Sequence, residues 1–98
     1  MTPLVVSEEA LADAAEIVDW YVSEDAAHAA QWFQDELALA LERVAASPGL
    51  GTPGPDGTRK WPLHRFPVSL VYRLRPTGVR VIAIAGQRRR PNYWAGRR

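Results

Sequence analysis

From Arg59 onward the chain interleaves cations with rings: Arg59, Lys60, Trp61, His64, Arg65, Phe66, Tyr72 and Arg73, then Arg88, Arg89, Arg90, Tyr93, Trp94, Arg97 and Arg98. A guanidinium grips a phosphate or carboxylate through paired N–H donors, and a flat ring stacks on a base. The mixture therefore suits contact with RNA, with a single strand or with an acidic protein surface. The charge distribution points the same way. Net charge is only +1, yet eleven acids and one base, Arg43, precede residue 59, while eleven bases and no acid follow. That is −10 over residues 1–58 and +11 over 59–98. A positive block without acids attracts anionic partners. The same arginines can also pair with the chain's own acidic segment, and Trp61 or Tyr72 can fill a core.

Other chemistries find little support. A metal site needs several clustered ligands, and His28 and His64 are far apart, with no cysteine to help. Gly49, Gly51, Gly54 and Gly57 lack the lysine and serine or threonine of a phosphate loop. All the acids except Asp56 belong to two helical segments or their ends, spaced as a solvated face. No metal, cofactor or small-molecule substrate is expected.

The elements that must carry the basic groups follow from periodicity. Residues 3–6 read as a short strand. Ser7 stands at a helix N-cap, with Glu8 and Glu9 against the positive helix end. The first helix is expected over residues 8–23, with Leu11, Ala14, Ala15, Val18, Tyr21 and Val22 in its apolar stripe. Asp25 is placed to cap a second helix, which runs to residue 46 with Ala29, Ala30, Phe33, Leu37, Ala40, Leu41 and Val44 on its buried side and stops at Ser47-Pro48-Gly49. So short a turn predicts an antiparallel helical hairpin.

Residues 48–58 hold four glycines and three prolines, which predicts a loop. Beyond it the period becomes two, giving strands over 59–63, 68–75 and 79–85, the last two joined at Pro76-Thr77-Gly78. Pro62 and Pro67 place the first of them at a sheet edge or a bulge. Val71, Ile82 and Ile84 add a second apolar face, so the last two strands should be central. The fold class is α+β: a short N-terminal strand, a helical hairpin, three mainly antiparallel strands and a short C-terminal tail.

Ninety-eight residues suit one domain, residues 1–98. The N-terminus has no basic region before its short apolar run, and no stretch approaches the roughly 18 apolar residues of a membrane span. The expected location is the cytoplasm.

The ordered set of segments resembles the RelE/ParE superfamily of bacterial toxins. It comprises the alanine-rich run at residues 10–15, Ile17-Val18-Asp19-Trp20-Tyr21, Phe33 with Leu37 and Leu41, and Ser47-Pro48-Gly49-Leu50-Gly51. It continues with Arg65-Phe66-Pro67-Val68-Ser69-Leu70-Val71-Tyr72-Arg73, Val81-Ile82-Ala83-Ile84-Ala85 and Arg88-Arg89-Arg90-Pro91-Asn92-Tyr93-Trp94. The resemblance implies the toxin of a type II toxin–antitoxin module, associated with growth inhibition and plasmid stabilisation and neutralised by a cognate antitoxin. Such an antitoxin often has a flexible acidic segment, able to order itself on a basic sheet face or on the helical hairpin. Two mechanisms then divide the superfamily: RelE-like members cut mRNA on the ribosome, and ParE-like members poison DNA gyrase without chemistry of their own.

By that resemblance Arg88 stands where the ribonucleases keep a phosphate-stabilising arginine, Tyr93 or Trp94 where they keep an aromatic, and Lys60 for one basic group of the preceding strand. Ser69 and Pro62 replace an arginine and a lysine. Losing an electrostatic group of this kind costs about 2.7–4 kcal/mol of barrier, unless Arg65 or Arg73 substitutes. The expectation is therefore a ParE-like toxin with Arg88, Arg89, Arg90, Tyr93 and Trp94 as its target-binding residues. The alternatives are a metal-free ribonuclease using Arg88, Tyr93, Lys60, Arg65 and Arg73, and a toxin-derived binding module that poisons nothing.

Overall fold

A computed structural model describes residues 2–98. Ser7 sets its first junction. The serine Oγ accepts from the Ala10 N–H at 3.1 Å, capping the helix, while its own N–H donates to the Val81 carbonyl at 3.0 Å, tying that helix to the sheet. The elements run β1 (Leu4–Val6), α1 (Glu8–Ser23), α2 (Ala27–Ala46), β2 (Thr52–Pro53), β3 (Thr58–Pro62), β4 (Val68–Arg75) and β5 (Gly78–Gly86), with short 3-10 turns at Pro48–Leu50 and Pro55–Gly57. The strands form one sheet in the order β1-β5-β4-β3-β2, with β1 parallel to β5 and the other pairs antiparallel. This is the α+β arrangement expected, with β4 and β5 central. None of the helices is long and apolar enough to cross a membrane among the described residues.

Four local features differ from the sequence reading. Asp25 does not cap α2; it ends α1. Its φ is 57°, its N–H donates to the Val22 carbonyl at 3.1 Å, and the Ala26 N–H donates to the Tyr21 carbonyl at 2.8 Å. These paired bonds make a left-handed helix stop, which aspartate tolerates. α2 starts after Ala26, whose side chain accepts nothing.

Secondly, the stretch read as loop contains β2, which covers β3 only at Arg59 and Lys60. Trp61 and Pro62 thus lie at an open edge, where the missing proline N–H costs no ladder bond.

Thirdly, Leu11 and Val22 are each 57% exposed. α1 instead turns Ala10 and Asp13 fully inward and packs Ala14, Ile17, Val18 and Tyr21 against the core.

The fourth difference is a bulge. Val71 pairs with Ala83 but Tyr72 with Val81, so Ile82 is an extra residue. Alternation reverses there: Ile82 and Ala83 join Val71 in a second cluster, and Ile84 returns to the main core beneath the helices.

The main core includes Phe33, Val44, Leu70, Tyr72, Val81 and Ile84. Phe66, in the β3–β4 loop, meets Phe33 and Tyr21 edge to face at 5.7 and 5.8 Å between ring centroids, which joins that loop to both helices. Tyr72 ties the sheet to the loop. Fully buried, its hydroxyl donates to the Pro48 carbonyl at 2.7 Å and accepts from the Gly51 N–H at 2.8 Å. A Cβ at Gly51 would lie 2.6 Å from that hydroxyl, so only glycine admits this approach. Tyr72→Phe leaves the Gly51 N–H buried and unpaired and is expected to cost about 1–3 kcal/mol, read as a lower urea midpoint at unchanged slope. An unshifted midpoint would show that the loop is not held through this hydroxyl.

Candidate functional site

β5 outruns β1. Pairing with β1 stops at Val81, and side chains from distant segments close the strand edge beyond it. Arg97 Nη1 donates to the Ile82 carbonyl at 3.1 Å, Asp13 Oδ2 accepts from the Ile84 N–H at 3.1 Å, and the Tyr93 hydroxyl donates to the Ile84 carbonyl at 3.2 Å. The Arg89 N–H adds a bond to the Gly86 carbonyl at 3.2 Å. The C-terminal tail, residues 87–98, is thereby folded back on the sheet, and Trp94, only 7% exposed, fills the cluster of Val71, Ile82 and Ala83.

Asp13 is central to this closure and was not legible as such among the acids read as solvated. It is 4% exposed and receives both Arg97 terminal nitrogens, at 2.6 and 3.2 Å. Arg89 lies 3.6 Å from it and 3.1 Å from Glu16, and Arg97 Nε lies 3.7 Å from Glu9. The two guanidinium carbons lie over the Tyr93 ring at 3.9 and 5.0 Å from its centroid. One signal for Asp13 was available: position 13 lies in helical phase with Ala10, Ala14 and Ile17, which all pack inward.

These neighbours fix protonation. The hydrogen bond to Asp13 pushes the Arg97 pKa above its ordinary value. Burial, followed by the Asp13 charge, pushes the Tyr93 phenol well above the usual range, against the opposing charges of Arg97 and Arg89. A folded-state pKa raised this way contributes stability below the ordinary phenol pKa of about 10, and that contribution is lost as pH rises through the folded value. Absorbance titrations of the native protein and of Tyr93→Phe are therefore expected to coincide through about pH 10, where an unperturbed tyrosine ionises. An extra phenolate signal in the native protein there would refute the assignment.

The sequence-derived residues occupy several places. Lys60, Arg89, Arg90, Tyr93 and Trp94 line one open groove of about 420 Å3 beside Pro62 and Ser69. Arg88 lies outside it, its guanidinium 3.7 Å from the centroid of the Trp20 ring, in a second groove of about 480 Å3 between α1 and the end of β5. Arg65 borders a third, of about 840 Å3, between α2 and β3, where Trp32 and Leu39 are 56% and 54% exposed. Arg73 donates to the backbone carbonyls of Asp56 and Arg97. Among the described residues Lys60, Arg88 and Arg90 make no ion pair. The arrangement presents an open cationic groove with an aromatic wall.

Comparison with known proteins agrees with this architecture. No curated protein shows significant sequence similarity. Among solved structures the chain is similar to one described as a chromosomal ParDE TA system from P. aeruginosa, with a TM-score of 0.77 and 25% identity over 88% of this chain and 96% of that one. A family model for the ParE toxin of the type II toxin–antitoxin system parDE matches residues 4–91, from β1 through the start of the tail. The strand, helical hairpin and sheet built from these residues place the chain in the ParE toxin family of type II toxin–antitoxin systems.

Proposed function

We propose that the protein is a cytoplasmic toxin that stops growth by binding DNA gyrase without cutting RNA, and that a cognate antitoxin holds it inactive. Membership of the ParE family supports the toxin reading. The state of Tyr93 carries the choice of a non-nucleolytic mode. A metal-free ribonuclease needs a group to take the 2′-hydroxyl proton and cations around the phosphorane. Here the tyrosine hydroxyl donates to the Ile84 carbonyl, and its raised pKa disfavours the phenolate that would act as base. Its groove neighbours Ser69 and Pro62 are uncharged, and Arg65, Arg73 and Arg88 do not line that groove.

The target-contacting surface is the groove of Lys60, Arg89, Arg90 and Tyr93, backed by the buried Trp94, with Arg88 beside it. The groove between α2 and β3 suits the apolar anchors of an antitoxin segment, whose acidic residues meet Arg43 and Arg65 on its walls. The test is expression of the chain alone and with its antitoxin, followed by supercoiling assays on purified gyrase and inspection of ribosome-bound mRNA. Growth arrest relieved by the antitoxin, with supercoiling inhibited and mRNA intact, is the expected result. Cleaved mRNA would establish the RelE-like mechanism instead, and unimpaired growth would leave a binding module.

A further inference from the structure

We infer that Asp13 is a positioning residue for the basic tail, so that toxicity depends on a carboxylate that touches no target. The inference rests on the reading of the tail groove as the target-contacting surface. Asp13 is the one fully buried acid among the described residues, and it joins three elements: it sits on α1, accepts from the Ile84 N–H of β5 and receives both terminal nitrogens of Arg97 from the tail. Other attachments hold the tail less specifically. Trp94 is anchored by apolar packing, and Arg73 and Arg80 grip the backbone carbonyls of Arg97 and Arg98. Neither orients the pair of guanidiniums around the Tyr93 ring.

That orientation is electrostatic. Arg89 and Arg97 both lie over the Tyr93 ring and both reach Asp13, at 3.6 and 2.6 Å. Without the negative charge between them the two cations repel, and Arg97 keeps the Ile82 carbonyl but only Glu9, 3.7 Å away and exposed, as a charged partner. The groove wall that runs from Arg89 to Trp94 then loses its fixed geometry. Asparagine at position 13 retains an oxygen for the Ile84 N–H, so this substitution removes the charge while sparing the strand edge.

Hydrogen exchange and growth arrest on the full chain test the inference. In Asp13→Asn and in Arg97→Gln, residues 87–98 are expected to exchange about tenfold faster or more, with α2 and β4 within about twofold of the native protein. The double variant should be little worse than Arg97→Gln alone, because that substitution has already removed the Asp13–Arg97 pair. Asp13→Glu, which keeps the charge, should hold the tail nearer to native protection than Asp13→Asn. Growth arrest should fall in Asp13→Asn although Lys60, Arg89 and Arg90 all remain. The inference is overturned if Asp13→Asn leaves the tail as protected as before, if Asp13→Glu loosens it equally, or if the tail loosens while growth arrest stays at full strength. Should the native chain itself not arrest growth, the functional reading fails separately, and the exchange data still decide whether Asp13 positions the tail.

Discussion

Phe33→Ala is expected to destabilise the protein by about 3–5 kcal/mol, the range for deleting a fully buried aromatic ring. Phe33 has no exposed surface, and its ring lies between Tyr21 of α1 at 6.5 Å and Phe66 of the β3–β4 loop at 5.7 Å. Its removal opens a cavity where three segments meet, and each would have to move toward the others to fill it. A domain of this size has about 5–15 kcal/mol of stability in total, so the variant is expected to be partly unfolded at 37 °C or close to it. Urea unfolding should show a much lower midpoint with an unchanged slope. A loss below about 1 kcal/mol would mean that the site collapses around the gap and that these rings do not hold the hairpin to the sheet.

Much of this core was legible because it depends on local signals. Ser7 followed by Glu8 and Glu9 marked the start of α1, Pro48-Gly49 marked the end of α2, and Phe33, Ala40 and Val44 fell on the buried stripe of α2. The misread features are those set by distant partners. Ile84 reaches the main core because a bulge opposite Val71 and Tyr72 changes the strand phase, and no residue near it announces an extra position. Asp25 had the right chemistry for a helix cap, but its left-handed backbone ends the preceding helix instead. Thr52 and Pro53 form a strand only because β3 lies beside them.

The candidate site divides in the same way. Composition and order pointed to the tail, and five of the residues so identified do share a groove. Composition could not separate arginines that stay unpaired from those that are neutralised. Arg97 meets Asp13 across 84 residues of sequence and Arg89 meets Glu16 across 73, so the acidic and basic halves are partly each other's partners. Every pair of this kind subtracts charge from the surface that the raw sum assigns to an anionic target.

The unpaired cations should therefore matter most. Lys60→Glu combined with Arg90→Glu is expected to abolish growth arrest, with the fold intact and the antitoxin still bound. Both side chains are exposed and make no ion pair among the described residues, so reversing them breaks no such pair. Both line the tail groove, whereas the proposed antitoxin anchors lie between α2 and β3. Placing like charges against an anionic partner costs several kcal/mol, so two reversals should weaken the target complex by about a hundredfold or more. Native association should also weaken more steeply with salt than that of the variant, because the variant has fewer opposite charges to screen. Arg43→Glu provides a control away from the tail, since Arg43 borders the α2–β3 groove and its reversal makes half the charge change of the double variant. The comparison is read as growth and as supercoiling by purified gyrase. If Arg43→Glu loses toxicity while the double reversal keeps it, the toxic surface is the helical groove and the basic tail is a structural strap.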